Sequence, residues 1–147
     1  MSPFYVEFAI ADEQRFDRLA KVFDALKAAK ESDAWADESY WRRFFDTDQL
    51  AQFWSPTQAE ADEHLRRWLA APLETRSTDP SLRKPWTFMS MIGAFENGDY
   101  SLIACVRGGS QLRGRIEFEP HGHPYGGTGA VRKLIETFGH QVLEVKD

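Results

Sequence analysis

The dipeptide Asn97-Gly98, set between two apolar runs, constrains the fold of this 147-residue chain more than any other feature. Asn and Gly tolerate the positive φ angles of a two-residue type I′ turn, and such a pair between apolar runs is a strong local hairpin signal. Taking it as the turn fixes a register. Phe95 then faces Tyr100, Gly93 faces Leu102, Met91 faces Ala104 and Met89 faces Val106. On the opposite face Ala94 meets Ser101, Ile92 meets Ile103, Ser90 meets Cys105 and Phe88 meets Arg107. A register shift by one residue would exchange the two faces. Both are largely apolar, as in strands at the centre of a sheet covered by helices.

The remaining elements follow from periodicity. Phe4, Val6, Phe8 and Ile10 alternate with other residues as in a strand with one buried face. Asp12 precedes Phe16, Leu19, Ala20, Phe23 and Leu26, which recur at helical spacing. From Asp33 the helical pattern turns aromatic, with Trp35, Tyr40, Trp41, Phe44, Phe45, Phe53 and Trp54, and Asp46-Thr47-Asp48 interrupts it. Thr57 and Glu60 have the spacing of a capping box; Ala61, Leu65, Trp68 and Leu69 line one face behind it, and Pro72 ends the helix. Residues 72–85 carry three prolines and no periodicity, an extended connection. Gly108 and Gly109 permit another reversal before Ile116 and Phe118, which alternate with charged residues as in an edge strand with one wet face. Val131, Leu134, Ile135 and Phe138 form a helical face capped by Gly139, and residues 141–145 read as a last strand.

These elements predict a single α+β domain over residues 1–147, with an antiparallel or mixed sheet covered by helices in the order β-α-α-α-β-β-β-α-β. It divides into a helical half (12–71), the connection (72–85) and a sheet half (86–147). A chain of this length supports one core without a disulfide or metal staple.

Charge and cysteine content narrow the function classes. A net charge of -5 argues against a general nucleic-acid or anionic-membrane surface, because neutralising phosphates needs clustered Lys and Arg. Cys105 has no internal partner for a disulfide, no apolar run is long enough to span a bilayer, and residues 1–10 lack a basic leader. A cytoplasmic setting is expected. No cofactor is expected, since neither the phosphate-loop nor the dinucleotide glycine pattern occurs.

Three features bear on chemistry. The loop holding His121, His123 and Tyr125 leads through Gly127, Thr128 and Gly129 into the last helix, near whose start stand Arg132 and Lys133. Glycines before a helix expose amides to an anion, and two cations there would be relieved by one; the plainer reading is a tight turn. Glu117, Glu119, His121 and His123 share strand parity, a weak metal pattern that Pro120 disrupts. Lastly, residues 31–63 hold nine carboxylates against two arginines, with aromatic residues between them. Asp37, Glu38, Trp41, Asp46 and Asp48 are therefore candidates for contact with a basic partner, although helical aromatics are generally core. Single histidines (His64, His140), Cys105 in an apolar strand, and the lack of a nucleophile elbow give catalysis little support.

Together these readings favour a non-catalytic, intracellular protein-binding module with an acidic surface, comparable to immunity-type inhibitors of a basic toxin or nuclease. The alternative is a domain or enzyme for small anionic ligands, with its site in residues 121–129.

Overall fold

The computed structural model describes residues 4–83, 85–108 and 112–147. Among them, β1 (Phe4–Ala9), β2 (Tyr100–Arg107), β3 (Arg113–Pro120) and β4 (Gln141–Lys146) form an antiparallel sheet in the order β2-β3-β1-β4. The helices are α1 (Glu13–Ser32), α2 (Glu38–Arg42), α3 (Thr47–Leu50), α4 (Gln58–Ala70), α5 (Phe88–Asn97) and α6 (Gly129–Thr137), with a 3₁₀ turn at Pro80–Leu82. The class is α+β, with an antiparallel sheet covered by helices. Setting aside α2 to α5, the run β1-α1-β2-β3-α6-β4 is the split β-α-β plan of ferredoxin-like plaits. Such a plan hosts many unrelated functions and names none.

One face of the sheet is apolar. Val6 and Phe8 of β1, Ile116 and Phe118 of β3, and Tyr100 and Leu102 of β2 pack with Leu19, Phe23 and Leu26 of α1 and Leu134 and Ile135 of α6 in one buried cluster. Gly114 on this face permits the close packing, since a Cβ there would lie 2.6 Å from Phe8 Cζ. The other face carries Tyr5, Glu7, Arg115, Glu117, Glu119 and Ser101 in cross-strand register. Glu7 is buried there between Arg113 and Arg115, each 3.4 Å away.

The hairpin at Asn97-Gly98 does not form. Residues 88–97 are helical, and Gly98 is the C-cap of α5, with φ of -65° and its N–H bonded to Ala94 O. The segment is apolar on nearly every side, so it satisfies both periodicities. Phe88, Met91, Ile92 and Phe95, at helical spacing, are the residues buried, and a reciprocal cap between Thr87 and Ser90 starts the helix. Glycine is needed at 98 for space, because a Cβ would meet Tyr100 Cε1 at 2.2 Å. The expected register falls with the turn: β2 pairs with β3, placing Ser101 opposite Glu119 rather than Ala94. β2 is also an edge strand, bulged between Leu102 and Ala104, whereas the strand holding Ile116 and Phe118, expected at an edge, is interior. Gly109, read as part of the second reversal, lies outside the described residues; Gly108 N–H bonds to Arg113 O at 2.7 Å.

The helical half splits in two. Trp41, Phe45 and Phe53 are buried, and Trp35, Tyr40 and Phe44 pack against the same cluster, so these aromatics are core. The capping box at Thr57 and Glu60 forms, but α4 buries none of its residues. Leu65 and Leu69, expected on a core face, are 54% and 63% exposed. α4 and the 3₁₀ turn form an arm whose neck is closed by Trp54 N–H donating to Trp86 O at 2.9 Å. Among the described residues no helix is long and apolar enough to cross a membrane.

Candidate functional site

The glycine-rich loop folds back onto the start of β2. Tyr125 is buried, its carbonyl accepts from Asp99 N–H at 2.9 Å, and its hydroxyl donates to Asp147 at 2.9 Å. Burial, then that carboxylate, pushes the Tyr125 phenol up to about 12, which keeps it protonated at neutral pH. Gly126 and Gly127 have φ of 100° and 78°, conformations that require glycine in a reversal this tight. Thr128 is buried and precedes α6. Arg132 Nε donates to Thr128 Oγ1 at 3.2 Å, and Lys133 lies 5.0 Å from the centre of the Phe53 ring. Both cations therefore have protein partners that a sequence motif does not reveal.

The two histidines of the loop part company. His123 sits edge-on to Tyr125, with ring centres 5.5 Å apart, while His121 turns toward β2. Among the described residues no group of three His, Cys, Asp or Glu is placed to hold a metal ion.

His121 borders a cleft of about 530 Å³ between the C-terminal part of α1 and the open edge of β2. Its lining contains Glu31, Asp33, Glu96, Asp99 and Glu119 against Lys27 and Lys30, with the partly buried Trp35 at its wall and the buried Tyr100 beneath Lys30. Neither lysine stands alone. Lys27 lies 3.6 Å from Glu31, and Lys30 Nζ donates to Phe95 O at 2.7 Å and Gly98 O at 2.9 Å, 4.5 Å from the centre of the Tyr100 ring. Burial holds the Lys30 ammonium below its ordinary value, and Asp99 partly offsets this. Lys30 thus satisfies carbonyls at the end of α5 that the helix cannot, fixing α1, α5 and β2 around the cleft.

No family model, curated protein or solved structure matches this chain.

What the site does must therefore be read from its geometry. At the cleft wall His121 Nδ1 lies 3.1 Å from Asp99 Oδ1, and His121 Nε2 lies 2.7 Å from Ser101 Oγ. The backbone holds the same residues together, since His121 N–H donates to Asp99 O at 3.0 Å. Asp99 and Ser101 were missed in the sequence because the supposed turn at 97–98 paired β2 with the wrong segment. Pairing β2 with residues 113–120 puts Ser101 beside Glu119, two residues before His121.

The partner-contact candidates lie elsewhere. Trp41 is 1% exposed, so it belongs to the core and presents no contact surface. Asp37 caps α2, accepting from Tyr40 N–H and from Ser39 Oγ; Glu38 pairs with Arg42 at 2.6 Å. Asp46 caps α3 and pairs with Arg18 at 3.2 Å, while Asp48 lies in the first turn of the same helix, where the dipole favours it. Burial pushes the Cys105 thiol up to about 12, leaving no reactive thiolate.

Proposed function

We propose that this protein is a binding module that receives a positively charged group of a basic protein partner in the cleft between α1 and β2. One observation carries the reading: five carboxylates from three stretches of the chain line a cleft that holds two lysines, of which Lys27 pairs with Glu31 and Lys30 is bonded to backbone carbonyls, so the carboxylates remain in excess. A Lys or Arg side chain entering there meets an excess of carboxylates beside the partly buried Trp35, and an indole suits cation–π contact. The same charge accelerates encounter with a basic surface. Capping the basic face of a toxin or nuclease is a role this arrangement serves, and a reducing, cytoplasmic setting agrees with the lone cysteine. The anionic-ligand alternative has less support, because Arg132 and Lys133 face partners within the fold.

The test uses the chain as bait, side by side with a Glu31→Lys/Glu96→Lys variant. A basic protein retained by the wild type, and released by the variant and by rising salt, is the expected result. Recovery of no basic protein, or of one that binds both baits equally, removes the reading.

A further inference from the structure

Ser101, His121 and Asp99 are joined by the atoms that nucleophilic acyl transfer uses. A carboxylate only accepts, so Asp99 takes the proton of His121 Nδ1 across 3.1 Å. The Nε2 lone pair is then directed at the Ser101 hydroxyl, 2.7 Å away, as in a serine hydrolase. Ser101 lies on β2 and His121 directly follows β3, so the pair is held by the sheet ladder rather than by a free loop. The trio also borders the acidic cleft, which supplies a place for a substrate.

We propose that Ser101, His121 and Asp99 form an esterase site for small acyl esters whose alcohol portion is positively charged. The choice of a cationic alcohol rests on the cleft reading above; the choice of nucleophile does not. Ser101 Oγ attacks the ester carbonyl carbon while its proton passes to His121 Nε2. The resulting tetrahedral oxyanion collapses, the bond to the alcohol oxygen breaks, and that oxygen takes the proton from His121. Water then attacks the acyl-serine and gives one proton to His121, which returns it to Ser101 as the carboxylic acid departs. Asp99 is a positioning residue, holding the imidazole in the tautomer that can accept.

The side chains of His121 and Asp99 are 52% and 63% exposed. Water therefore reaches the acyl-serine readily, and the oxyanion is met by solvent rather than by buried amides. That provision sets the expected acceleration at about 10²-fold over buffer, the low end for a positioned base.

The experiment compares 3-(trimethylammonio)phenyl acetate with its neutral isostere 3-tert-butylphenyl acetate, together with labelling by a fluorophosphonate probe. Expected are probe adducts on Ser101 by peptide mass, hydrolysis abolished in Ser101→Ala and His121→Ala, and about tenfold preference for the cationic ester at low salt. On the neutral ester, where the charge of the cleft plays no part in binding, Asp99→Asn lowers kcat with KM unchanged, a split that a purely structural role would not give. Absence of label on Ser101 of the wild-type protein, or hydrolysis that survives Ser101→Ala, overturns the proposal without relying on how any variant folds. Equal rates on the two esters overturn the substrate class alone; the nucleophile stands, and the cleft reading is decided separately by the basic-protein bait.

Discussion

Two acidic regions of this molecule use their charge in opposite ways. Residues 37–48 are dense in carboxylates along the chain, yet Asp37 and Asp46 cap helices and Glu38 and Asp46 hold arginines. The cleft beside β2 draws Glu31, Asp33, Glu96, Asp99 and Glu119 from scattered positions and leaves most of that charge facing open space. Charge density along a sequence is thus a poor guide to charge density in space. The carboxylates of the first region cap helices and hold arginines, and those of the second line a cleft.

The contrast breaks most visibly if Trp41, named in sequence as a contact residue, is truncated. Trp41→Ala should destabilise the fold by about 3–5 kcal/mol in urea denaturation, the cost of removing a buried indole. A loss near zero would return the aromatics to the surface. On the cleft side the largest effect belongs to Lys30. Lys30→Met leaves the carbonyls of Phe95 and Gly98 without their donor and should lower stability by about 1–3 kcal/mol.

Acid titration sharpens the difference further. The bond from the Ser39 hydroxyl holds the Asp37 carboxyl below its ordinary range, and the Gln49 N–H does the same for Asp46. A carboxyl whose folded pKa is depressed adds stability that is complete above the unfolded value of 3.8 and lost as pH falls through the folded one. The urea midpoint should therefore drop below about pH 4 in the wild type and flatten in Asp37→Asn/Asp46→Asn. The smallest effect is expected at Glu96→Ala, within about 0.5 kcal/mol by the same measurement, because Glu96 is an exposed cleft residue with no structural duty in view.

Legibility in the sequence followed the strength of local signals. β1, α1 and α6 could be read because each has one clear period, and the starts of α1 and α4 because Asp12 and the Thr57–Glu60 pair are capping residues. Residues 88–97 could not, since a segment apolar all round fits both a strand and a helix, and Asn-Gly outweighed the quieter pairing of Thr87 with Ser90. That single misassignment moved β2 from the edge to the centre of the sheet and concealed Asp99 and Ser101. His121 was singled out, but its partners depended on a register between strands, which is a property of the folded sheet. The cleft was hidden for a related reason: its carboxylates are brought together by packing alone.

The hydrogen bond from Trp54 to Trp86 has a topological consequence. It makes the described residues between Trp54 and Trp86 an excursion that leaves and returns at one point, and α4 within it has no fully buried residue. Closure entropy for such a loop rises only logarithmically, by about 0.6 kcal/mol for each doubling of length. The sheet is therefore nearly indifferent to how long this detour is, and a short Gly-Ser bridge between Trp54 and Trp86 should leave it intact. Insertions, affinity tags and new chain termini can be sited there with little penalty to the body of the protein.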